Sequence, residues 1–183
     1  MREKISGKLL KGLEGHTPGL LLSIQYQVLT DMTARAFGAP RIRVWTLDPE
    51  RAFEAYARFS ADCMKKYKGD PQALCREAYR TGQTLRALTG FQDRADLERL
   101  VFYLYRNIRI RMEGTLPGHI RISACYFSTL YTPSMCALMS RADSGIIAGL
   151  LGGGALTFTE RITEGCGECR ACFEISERKN LDP

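Results

Sequence analysis

An α+β fold, with an N-terminal helical half packed on a small antiparallel sheet, is what the order of patterns along the chain predicts. Before Gly114, apolar residues recur at helical spacing between boundaries marked by proline and glycine. After Gly114, three segments alternate with period two around a single helical one. The order is therefore helices first, then strand–helix–strand–strand.

Residues 1–16 read as a loosely held arm, and 17–183 as one α+β domain. Thr17 as N-cap, Pro18 in the first turn, and Gly38 with Pro40 as the stop mark a helix over 18–37. Leu21, Ile24, Val28, Met32 and Ala36 form its stripe. "RIRVWTL" is either a short strand or an extended connector. Asp48-Pro49 opens the next helix, in which Phe53, Tyr56, Ser60, Cys63 and Tyr67 share a face. Asp70-Pro71 repeats the start signal, and the pattern runs to Gly90. "RADLERLVFYLYRNIRI" continues as helix. "HIRISACYF" alternates, with Ile120, Ile122, Ala124 and Tyr126 on one face and Arg121, Ser123, Cys125 and Phe127 on the other. Thr132-Pro133 starts a helix that Gly152-Gly153-Gly154 ends. The sheet is expected from 119–127, 155–163 and 170–176.

Composition narrows the function classes. The chain has 183 residues, 45% hydrophobic and 25% charged, enough for a real core. The longest apolar runs, such as "GIIAGLLGGGAL", are too short and glycine-rich for a membrane span. No apolar h-region follows the basic N-terminus, so a cytoplasmic protein is expected. The formal charge of +6 comes from scattered Lys and Arg, which argues against nucleic acid and for a local basic surface that attracts small anions. Helix 18–37 carries more apolar surface, at Leu20, Leu21, Leu22 and Ile24, than one face needs, and a homodimer through it is expected.

Seven cysteines in a chain of this size are expected to be mostly free thiols. Cys63 and Cys75 sit among apolar helix neighbours and read as core. "EGCGECRACFEI" sets Cys166, Cys169 and Cys172 at successive CxxC spacings. Three readings stay open: a zinc or iron–sulfur site completed by Cys125, Cys136 or His119, a reactive thiol, or structural thiols. The preferred site holds no cofactor, with zinc on Cys166, Cys169 and Cys172 as the alternative. In that site Cys169 and Cys125 line one cavity, Cys166 lies in the turn, and Cys172 is structural. Arg121 and Arg161 nearby would depress both thiol pKa values and suit an anionic ligand. Asp143, in a mostly apolar helix, is either solvent-facing beside Arg141 or a buried acid facing the sheet.

The stretch from Ala124 to Ile175 resembles the C-terminal half of the L-2-amino-thiazoline-4-carboxylic acid hydrolase family. The features that carry the resemblance are Cys125 at a strand end, Asp143 in the following helix, and Arg-x-x-x-Gly-x-x-x-Cys at Arg161, Gly165 and Cys169. It implies ring opening of a cyclic amidine thioether carboxylate by water. Arg161 or Arg121 would hold the substrate carboxylate, Asp143 or Cys125 would handle the proton, and Cys169 would complete the catalytic set. The same end is distantly similar to 4-vinyl reductase domains, which implies instead a non-catalytic module for a small apolar or anionic ligand.

Overall fold

The computed structural model describes residues 19–175. The arm at 1–16, His16, the Thr17-Pro18 start signal and the last residue of the third expected strand lie outside the described residues. Helix α1 (Gly19–Phe37) ends at Gly38, which adopts φ 62°. Helix α2 (Pro49–Lys66) begins where the Asp48 carboxylate accepts the Arg51 N–H. Helix α3 (Pro71–Thr89) begins likewise on Asp70, which accepts from Gln72 and Ala73, and stops at left-handed Gly90. Helix α4 (Arg94–Asn107) is capped by Asp93, and α5 (Pro133–Leu151) by Thr132, with left-handed Gly152 as its stop. Each of the starts from α2 to α5 supplies an acceptor to helix N–H groups that have no intrahelical partner.

The sheet has four strands: β1 (Ile110–Gly114), β2 (Gly118–Cys125), β3 (Ala155–Glu160) and β4 (Cys169–Glu174). Their spatial order is β1-β2-β4-β3, and every pair is antiparallel. Strand β1 corrects the expectation of three strands and of helix continuing through "RNIRI". Helix α4 stops at Asn107, and Arg109 at φ 60° turns the chain straight into β1. A non-glycine residue in that region is uncommon, so nothing local announces the turn. "RIRVWTL" is the extended connector: the Gln27 side-chain oxygen accepts from the Val44 and Trp45 amides, and Val44 is buried.

One contiguous hydrophobic core runs from α1 to β4. At its centre Phe53 of α2 meets the Tyr126 ring at 4.8 Å, and Phe127 meets Tyr131 at 5.2 Å. Helices α3 and α5 pack backbone to backbone. A Cβ at Gly149 would stand 2.3 Å from the Tyr79 carbonyl oxygen, and one at Gly82 would stand 2.3 Å from that of Ile146. Glycine at those positions is what lets the axes approach. None of the described helices is long and apolar enough to cross a membrane.

Candidate functional site

Two β-bulges decide which residues the inner face of the sheet presents. Met112 lies opposite Ile122 and Arg111 opposite Ala124, so Ser123 is an extra residue in β2. The insertion reverses the alternation, and Cys125 joins Ile120 and Ile122 on the buried side. In β3, Phe158 lies opposite Ala171 and Glu160 opposite Arg170, so Thr159 is extra. Glu160 therefore turns outward with Arg170, and Arg161 turns back over the core.

The face expected for Cys125 is thereby corrected. Arg121 stays on the outer face, where it bonds Glu113 at 2.8 Å and reaches Glu168 at 3.7 Å. Arg170 bonds Glu168 at 3.0 Å and lies 3.5 Å from Glu160 in the same exposed network. Arg121 has no part in the cavity. Arg161 does not line it either, although its charge acts on Asp143 and Cys169: its side chain keeps only 18% of its exposure, lies 5.1 Å from the Phe158 ring, and pairs with Glu164 at 3.2 Å. Its Nε is buried with no hydrogen-bond partner among the described residues.

Cys125, Cys169 and Asp143 line one small cavity of about 70 Å³, together with Cys136, Tyr56 and Tyr131. Room for about two waters is all that such a volume provides. Tyr131 shares a 2.6 Å hydrogen bond with buried Ser60. Asp143 is half-buried and lines this cavity and a second, larger one. Its Oδ1 accepts the Tyr105 hydroxyl at 2.7 Å. Burial pushes the carboxyl up to about 6, against the opposing pull of the Tyr105 hydrogen bond and the Arg161 charge. This decides between the two readings of Asp143: it is the buried acid, and Arg141 is exposed.

The expected depression of the thiol pKa values is reversed. Burial pushes Cys125 up to about 12, even though it hydrogen-bonds to the backbone at Phe127 and Ser128. Burial also raises Cys169, with a smaller opposing contribution from the Ile162 N–H, which donates to its Sγ at 3.3 Å. One arginine instead of two, in a desolvated pocket, does not outweigh the cost of a buried thiolate. Cys166 does lie in the turn, its N–H bonded to the Arg161 carbonyl. Cys172 faces outward, opposite His119 and Thr157. Cys169 and Cys172 thus point to opposite sides of β4, and the CxxCxxC set does not converge. No group of three or more metal-ligating side chains stands together among the described residues. Cys63 is buried core, whereas Cys75 is only half-buried.

Beyond Asp143 a larger cavity of about 270 Å³ opens between α1, α3, α4 and α5. Leu29, Leu100, Leu104 and Met139 line it, and Leu21 and Ile24, 43% and 44% exposed, stand at its outer end. Tyr56, Ile108, Met139 and Asp143 border both cavities. The tyrosines are what the sequence reading missed. The available signal was a phenol on an otherwise apolar helix face, at Tyr56 and Tyr105, which needs a polar partner once buried. No protein-family model, curated protein or solved structure matches this chain.

Proposed function

We propose that the protein is a binding domain for a small, largely apolar molecule carrying one polar group. The apolar body occupies the cavity between α1, α3, α4 and α5, and the polar group points at the Tyr105–Asp143 pair. The observation that carries this reading is the cavity itself. At about 270 Å³ it is close to the lower bound of small-molecule sites, with apolar walls and few polar groups at its inner end.

The test uses Nile red, an uncharged apolar fluorophore. The expected result is saturable one-to-one binding that weakens at least about tenfold in Ile24→Trp, a change equal to about 1.4 kcal/mol. Ile24 is half-exposed at the cavity mouth, so the bulkier ring narrows entry without disturbing the core. Unsaturable binding, or equal binding by a folded Ile24→Trp protein, refutes the proposal. Self-association through α1 belongs to the same proposal, because Leu20, Leu21 and Ile24 stand exposed on it. A monomer by sedimentation at neutral pH counts against that part.

A hydrolase of the 2-amino-thiazoline-4-carboxylate type is the second reading. It is favoured by the meeting of Cys125, Cys169 and Asp143 on one chamber, with Asp143 near the pH where a carboxyl exchanges protons readily. In it the substrate body would extend from the small chamber into the larger cavity past Asp143, which borders both, and Arg161, the only one of the two expected arginines turned inward, would act on its carboxylate through its charge. Incubation with that substrate decides it: turnover abolished in Asp143→Asn supports it, and none in the wild type removes it.

A further inference from the structure

Outside the cavities just described, the outer side of α4 and the edge strand β1 enclose a groove of about 680 Å³. Arg99, Phe102, Tyr103 and Arg106 recur at three- and four-residue spacing and share one face of α4. The left-handed turn at Arg109 sends β1 away from the end of that helix, and Arg111 then stands across the groove. Arginines therefore flank an aromatic floor on two sides.

Their charges are not equally satisfied. Arg109 also lines the groove, but it pairs with Glu50, and its guanidinium lies 4.3 Å from the Phe53 ring centroid. Arg99 lies 3.4 Å from Asp96. Glu113, the one carboxylate lining the groove, is taken by Arg121 at 2.8 Å. Arg106 and Arg111 have no carboxylate partner among the described residues, and Arg106 has only the Tyr103 ring, 5.7 Å away. Elsewhere Arg35 and Arg80 pair with Glu77, Arg58 with Glu54 and Arg76 with Asp70, whereas Arg41 and Arg43 stand on the connector without a carboxylate partner among the described residues, and with no aromatic pair at helical spacing beneath them. Two guanidinium groups without a carboxylate thus face one groove, where their mutual repulsion is relieved by an anion.

We infer that this groove binds a phosphate-bearing small molecule, its oxyanion held between Arg106 and Arg111 and its flat or apolar part resting on Phe102 and Tyr103. Guanidinium groups pair with phosphate oxygens through two parallel hydrogen bonds, and the volume lies in the range of small-ligand sites. A compact anion fits better than a long polyanion, because only two of the four arginines lining the groove lack a carboxylate. The inference is independent of the apolar cavity and of what that cavity holds.

Inorganic pyrophosphate is the probe, titrated calorimetrically at constant ionic strength. The expected result is one-to-one binding, weakened at least about tenfold in Arg106→Gln and in Arg111→Gln and unchanged in Arg58→Gln. Circular dichroism and thermal melting verify that each variant is folded. All these side chains are exposed, so loss of fold is not expected. Retention on phosphoinositide-containing vesicles, lost in the same two variants, identifies a lipid headgroup as the phosphate source and supports the site. Absence of pyrophosphate binding, equal binding by all three variants, or binding of a single-stranded oligonucleotide without pyrophosphate binding overturns it.

Discussion

Replacing Asp143 with asparagine should make the protein more stable at neutral pH and leave it nearly unchanged in acid. The carboxyl has an ordinary value of 3.8 and is pushed up to about 6 in the folded protein, mainly by burial. Below about pH 3 both folded and unfolded states carry the proton, so the carboxyl costs nothing extra. As pH rises from about 4 to about 6, the unfolded chain ionises first and the native state loses stability relative to it. Above that window the penalty is constant, because both states are ionised. A shift of roughly two pKa units corresponds to about 3 kcal/mol. Asparagine keeps the shape and an oxygen that can accept the Tyr105 hydroxyl, so it removes the penalty with little loss of contact. Urea unfolding of both proteins at half-unit steps from pH 4 to 7.5 gives the difference directly. The variant's advantage should grow with pH and level off above about 6.5. A flat difference, or one in which the wild type gains with rising pH, refutes desolvation as the dominant influence on Asp143.

Two other outcomes follow from the packing and the thiols. Gly149→Ala should cost about 3 kcal/mol, the upper end for overpacking, because its Cβ would meet the Tyr79 carbonyl and the Gln83 amide rather than movable side chains. That lowers the thermal midpoint by roughly 6–12 °C, whereas Gly167→Ala, in open space, should stay within about 0.5 kcal/mol. In thiol titration of the native protein at pH 8, Cys125 and Cys169 should react only after unfolding, since burial holds both largely protonated. A strong chelator should not move the unfolding midpoint. A fast phase lost in Cys125→Ser, or a midpoint lowered by chelation, contradicts this account.

Helix starts and stops were legible because their chemistry is local. Asp48-Pro49, Asp70-Pro71 and Thr132-Pro133 each supply an acceptor and a preset φ within a few residues, and Gly90 and Gly152 provide the left-handed stops. The same holds for the α+β class, which needs only the order of periodicities. Cys125, Asp143 and Cys169 were legible as candidates, since a thiol or a carboxylate in an apolar segment stands out by residue type alone. What the tertiary structure decided is where those groups point and what surrounds them. Alternation assigned Cys125 to the face of Arg121, but one extra residue at Ser123, set by pairing with β1, turned it inward. The extra residue at Thr159 did the same for Arg161 through pairing with β4. Strand β1 stayed hidden because Ile108, Ile110 and Met112 continue an apolar pattern, and only Arg109 in an uncommon conformation breaks the helix. The raised pKa values of Asp143 and Cys125 come from desolvation, a property of how tightly distant elements close around a group. The Tyr105–Asp143 hydrogen bond spans 38 residues of chain, and no local pattern encodes a contact at that separation.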